Sequence, residues 1–194
     1  MNPKNYHREK AFNAITYFVE HTLTCFKTKT YKLLWFLDSE HFKATGRTVT
    51  GYDYFAWKMG PVPTELDEAI DSSDSEFTEH FDITVDRDSR YTYIELKPKR
   101  AFERKYFSRR EMALMAEIAN RFRLTTAKEL EDLTHLPGTP WYQVWAVENR
   151  KQEKIPYEYV LSSMDDAEKE TILTIAEDHR VFLANTNELR HSSI

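Results

Sequence analysis

Two pairs of side chains in this sequence have a spacing that suits metal chemistry: Asp38-x-x-His41 and Asp132-x-x-His135. On a helix, a carboxylate and an imidazole three residues apart project the same way. Di-iron bundles use this geometry when two Glu-x-x-His helices face each other with two further glutamates. Here aspartate replaces glutamate, no further inward carboxylates are identifiable, and the neighbours of Asp38 and His41 read as core. The expectation is no bound metal and no cofactor, with the histidines as hydrogen-bonded structural residues. His7, His21, His80, His179 and His191 stand in no such pattern. The chain has no G-x-S-x-G, no Walker-type loop, no H-E-x-x-H and no G-x-G-x-x-G, and holds only 4 glycines. It is expected not to be an enzyme. A Ser-His-Asp site assembled from distant positions would leave no such trace, because triads are defined by geometry. A metal-dependent hydrolase therefore stays open as an alternative, one that needs His41 and His135 within metal-bonding distance. The single Cys25 offers neither an internal disulfide nor a thiolate cluster and reads as packing.

Composition narrows the classes further. The 194 residues are 41% hydrophobic, 14% aromatic and 30% charged, which suits one folded domain over 1–194. No run approaches the roughly 20 apolar residues of a membrane span, and the start, MNPKNYHREK, is polar. A cytoplasmic protein with no membrane partner is expected. A net charge of -5 argues against direct nucleic-acid binding, which needs clustered Lys and Arg to neutralise phosphates. The charge is unevenly spread. From Glu65 to Asp88 there are ten acidic residues and one basic, whereas Arg90 to Arg110 holds eight basic and two acidic. Such blocks are either solvated surface or, as an acidic strip containing Glu65, Asp67 and Glu68, a means of steering a basic partner. Tyr52, Tyr54, Phe55 and Trp57 lack the basic surroundings that base stacking would require, so packing or an interface is their expected use.

These residues need elements to position them. Ala11, Ile15, Phe18 and Val19 recur at helical spacing and predict a helix over about 6–23. A threonine-rich break leads to a second helix carrying Leu33, Leu34, Phe36, Leu37 and His41, ending at Gly46. The β-branched and aromatic run 48–57 predicts a strand. The following MGPVP is expected to leave any strand as a rigid turn, because proline removes ladder donors. Pro63 can open a short acidic helix to about Ile70, with the serine and aspartate run after it as a loop. FDITV (81–85) and YTYIEL (91–96) alternate and predict a hairpin. Ser108 with Glu111, and Thr126 with Glu129, form capping-box patterns opening helices to about Phe122 and Leu136. Further helical stretches are expected over 141–148 and 165–185. The fold class is mostly α (α+β): a compact helical domain with a small antiparallel β-element and a C-terminal helix.

One stretch is far more specific, TKTYKLLWFLDSEHFKATGRTVTGYDYFAWKMGPVPTEL from Thr28 to Leu66. Lys32, Leu33, Leu34, Trp35, Phe36, Asp38, His41, Gly46, Thr50, Gly51, Gly60, Pro61, Val62 and Pro63 match a pattern of a K-L-x-K-L-L-Y-F-like helix with an acidic residue and a histidine after it, then a glycine, an S/T-G strand and a G-P-V-P turn. This resembles the Panacea, or SocA-like, antitoxin domain of toxin-antitoxin systems. Leu133, Thr134, His135, Pro140 and Trp141 resemble the family's later S/T-H and P-W element, so the likeness spans most of 8–160. Trp35 stands where tyrosine is commoner, and 161–194 falls outside the match as a C-terminal helical extension. The resemblance implies a phage-defence type of role: neutralising a cognate protein toxin, encoded by an adjacent gene, through direct protein binding. The expected partner-binding residues are Trp35, Asp38, His41, Tyr54, Trp57, Gly60, Pro61, Val62, Pro63, Glu65, Asp67, Glu68, His135 and Trp141. The family also implies an alternative, a proteolytic adaptor that hands the toxin to an ATP-dependent protease, with the C-terminal helix as a docking segment. A transcriptional regulator would need Arg104 to Arg123 as a basic recognition helix.

Overall fold

The apolar spacing near the N-terminus does become a helix, α1 (Pro3–His21), and it buries Ala11, Phe12, Ala14, Ile15 and Phe18 almost completely. The computed structural model describes residues 3–87 and 92–191, with side chains for 6–87 and 92–185. α2 (Lys27–Thr45) is the central element, with Leu33, Leu34 and Leu37 fully buried. It ends at Gly46 in the left-handed region (φ 67°), whose N–H returns to the Phe42 carbonyl.

The run expected as a strand over 48–57 is shorter: only β1 (Tyr54–Trp57) is extended in a ladder. The preceding Val49 and Thr50 N–H groups are bound by Asp38 instead. The proline segment corrects the expectation that it leaves the sheet. β2 (Gly60–Pro63) pairs antiparallel with β1, Tyr54 opposite Pro63, Phe55 opposite Val62, Ala56 opposite Pro61 and Trp57 opposite Gly60. The reason lies in parity. In an antiparallel pair, alternate residues direct both backbone groups away from the partner strand. Ala56 and Tyr54 direct theirs to the opposite edge: Ala56 N–H donates to Glu153 O, and Gln152 and Ile155 N–H donate to the Ala56 and Tyr54 carbonyls, all at 2.8–2.9 Å. Pro61 and Pro63 face those two residues, so the N–H groups that prolines lack are not needed by the ladder.

α3 (Thr64–Asp71) starts just after Pro63, which flanks the helix instead of entering its first turn. The serine and aspartate run does not stay a loop. Asp74 accepts from Phe77 N–H and opens α4 (Ser75–His80), which buries Phe77 and His80. β3 (Phe81–Arg87) and β4 (Thr92–Pro98) form the expected hairpin, whose DRDSR connection lies partly outside the described residues. α5 (Arg109–Arg121) and α6 (Ala127–Thr134) both open on complete capping boxes. α7 (Pro140–Tyr142) runs into a wider π turn at Gln143–Val147, and α8 (Asp166–His191) closes the chain. The result is mostly helical, with two antiparallel strand pairs among the described residues. One apolar core runs from Ala11 to Leu161, and α8 adds the partly buried Ile172, Leu173 and Ala176. No helix among the described residues is long and apolar enough to cross a membrane.

Candidate functional site

The β1–β2 hairpin is held by three side chains that are buried for different reasons. Asp38 on α2 is fully buried, and its Oδ1 accepts from Val49 N–H at 2.7 Å and Thr50 N–H at 2.8 Å. Its Oδ2 accepts from the Thr50 hydroxyl and from Tyr54 Oη–H at 2.9 Å. Burial pushes the Asp38 carboxyl above its ordinary range, and these four hydrogen bonds pull the other way. One helix turn on, His41 Nδ1 donates to the Arg47 carbonyl at 2.7 Å. Both members of the Asp38-x-x-His41 pair therefore bind the chain that leaves α2 and leads into β1.

Lys32, also on α2, is completely buried and donates to the Pro61 carbonyl at 2.8 Å. That carbonyl is available because Pro61 sits at a position facing away from β1. Burial lowers the Lys32 pKa to about 7. Gly60 (φ 98°) passes so close that a Cβ would fall 2.9 Å from Lys32 Nζ and 2.7 Å from Thr134 Oγ1. Glycine is required there both by conformation and by space.

The third tie is Trp141, whose indole N–H donates to the Trp57 carbonyl at 2.8 Å. His135 stacks on Trp141 with ring centroids 3.7 Å apart, and Trp145 stacks on it at 5.3 Å. Burial lowers the His135 pKa, and its Nε2 has no hydrogen-bond partner among the described residues. Asp132, the carboxylate paired with it in sequence, bonds to Lys128 at 2.8 Å. Trp35 lies edge-on to Tyr54 and stacks on Tyr157.

The residues singled out from the sequence thus separate into two groups. Trp35, Asp38, His41, Tyr54, Gly60, Pro61, Val62, Pro63 and Trp141 are buried. They gather around the hairpin as its support, and a partner touching the surface would feel them through the backbone they hold. Trp57, Asp67 and His135 are half-buried, and Glu65 and Glu68 are exposed. The acidic strip is largely matched from within. Lys27 pairs with Asp67 and Asp71, Arg8 with Asp74 and Glu76, Arg100 with Glu79, and Lys99 with Asp82. Asp67 also accepts from Tyr31 Oη–H at 2.9 Å.

Apolar groups also reach the surface near the hairpin; sequence reasoning points to Met59, beside the proline turn, and misses Leu136 and Val147. Met59 at its tip is 52% exposed, Leu136 just after α6 is 52% and Val147 at the end of the π turn is 60%. Trp141 ties their elements together. A stray exposed leucine carries little signal in a sequence, and only the fold places these three on neighbouring elements. No curated protein and no protein of solved structure matches this chain. The family model described as Antitoxin SocA-like, Panacea domain does match, over residues 31–142, and these residues include α2 from Tyr31 onward, the β1–β2 hairpin and the Trp141 tie. On that match, which covers more than half of the 194 residues, the chain belongs to the SocA-like Panacea antitoxin family.

Proposed function

We propose that this protein is a non-catalytic, cytoplasmic antitoxin that neutralises a protein toxin encoded by an adjacent gene by binding it directly, without altering it covalently. The observation that carries this reading is the placement of Met59, Leu136 and Val147. These are exposed apolar side chains on elements that buried groups already hold in place. Interfaces draw their energy from a few well-packed anchors, methionine is among the residues enriched there, and a surface that is ordered beforehand loses less entropy on binding. Lys32, Asp38 and Trp141 supply that order, so family-typical residues can be buried and still serve binding.

The test is co-expression with the neighbouring toxin gene. Met59→Asp with Leu136→Asp should abolish growth rescue and co-purification, while melting within a few degrees of the parent protein, because exposed substitutions change stability by about 0.5 kcal/mol or less. Rescue by a folded double variant would move the interface elsewhere. A toxin recovered in chemically modified form would rule out neutralisation by binding alone.

A further inference from the structure

α5 carries two exposed arginines that no carboxylate among the described residues matches. Internal pairs match six carboxylates of the strip, whereas Arg110 and Arg121 are exposed and make no ion pair among the described residues, Arg121 lying over the Phe122 ring at 5.0 Å from its centroid. Both line a groove of about 370 Å³ between α2 and α5. Its floor is apolar: Leu114 lies along it, and Phe36 stacks on Phe122 with centroids 4.9 Å apart. Glu117 lines it between the two arginines. Glu40, on the α2 side, is paired with Lys43 at 3.0 Å, and His41 is bound to Arg47.

We propose that this groove docks an amphipathic helix of a protein partner, one with a carboxylate near each end of its apolar face and a cation between them. Arg110 and Arg121 are eleven residues apart on one helix, which is about 16 Å. That span suits a helix of three turns lying alongside α5 and is too long for one small ligand to bridge. An apolar floor bounded by charge is the surface that takes a helix by its i, i+3, i+4, i+7 face. Complementary charge then fixes direction and register. Glu117 opposes a run of phosphates and favours a partner cation at its level. A second copy of the chain fits poorly, since a two-fold axis through the groove would set Arg110 of one copy against Arg121 of the other. None of these residues belongs to the Met59 surface, so the inference stands apart from the proposed toxin contact.

Two designed 15-residue peptides with the same apolar face test it. One carries Asp at two positions eleven apart with Lys between; the other has these three charges reversed. In fluorescence anisotropy against the full-length protein, the acidic-ended peptide should bind at least tenfold more tightly. Arg110→Glu with Arg121→Glu, both exposed and compatible with folding, should invert that order. Equal or undetectable binding of the two peptides would overturn the proposal, as would an order that the double variant leaves unchanged. A solution dimer broken by Leu114→Asp would assign the groove to self-association. Duplex DNA binding that the double arginine variant abolishes would assign it to nucleic acid. These readouts do not involve the toxin, so failure here and failure of growth rescue by the parent protein are separate results.

Discussion

Asp38 and Lys32 lie six residues apart on α2, both fully buried, and each is tied to the chain around β1 and β2 instead of to the other. Burying a charge costs several kcal/mol unless hydrogen bonds compensate. Asp38 has four donors to offset that cost, whereas Lys32 has one carbonyl, and its pKa falls to about 7. This has a consequence for stability. In the unfolded chain the amine keeps its proton up to about 10.5. Between that value and 7 the unfolded state therefore binds more protons, and stability rises with pH by up to about 1.4 kcal/mol per unit. The contribution is complete above 10.5 and lost as pH falls through about 7. Lys32→Met removes the titrating group along with the bond to Pro61. Urea unfolding at pH 7.5 and 9.5 should show the parent gaining about 2 kcal/mol on the variant between the two conditions. A difference that stays constant would mean that the buried amine keeps an ordinary pKa. Comparing slopes instead of absolute stabilities separates this effect from the lost hydrogen bond.

At the scale of elements, what the sequence disclosed was local. Ser108 with Glu111 and Thr126 with Glu129 make capping boxes from residues three apart, and both are present. The hairpin of β3 and β4 followed from alternation, which also depends on near neighbours. β2 was misread because a proline weakens a strand only where its N–H would face the partner. That parity is set by the 152–155 segment, about ninety residues away. α4 was missed because Asp74 reads as one more loop residue until Phe77, three positions on, is known to be buried. For the candidate site, the motif residues were legible as a set. Their burial was not, since it depends on Trp141 and Lys32 closing on the hairpin from other elements. Residue 61 directs its backbone toward Lys32, so Pro61→Gly would place a new buried N–H against a donor. It should cost about 2 kcal/mol, from one unsatisfied donor plus the freer unfolded chain. Pro63→Gly, whose carbonyl Lys32 does not bind, should cost less. Urea unfolding of the two variants decides it, and equal losses would remove the Lys32 contact from the explanation.

The molecule as a whole separates its support from its surfaces. The core closes at Leu161, before α8 begins, and α8 covers α2 with Ile172, Leu173 and Ala176. The contact is close at Gly46, where a Cβ would lie 2.8 Å from the Ile172 carbonyl oxygen. Farther along, Val181, Phe182 and Leu183 are exposed. If neutralisation is direct binding through the Met59 surface, α8 contributes stability and nothing else. If the protein instead delivers its toxin to a protease, α8 is the natural docking segment. Ending the chain after residue 165 separates the two readings. The truncated protein should remain folded, because the core cluster is intact. It should lose about 2–3 kcal/mol, since two partly buried aliphatic side chains and an alanine no longer cover α2, at about 25 cal/mol per Å² of apolar surface. At a temperature where it is folded, growth rescue should match that of the full chain and the toxin should accumulate in complex at an unchanged half-life. Loss of rescue by a folded truncated protein, with a toxin half-life that lengthens only when α8 is absent, would establish delivery to a protease in place of direct neutralisation.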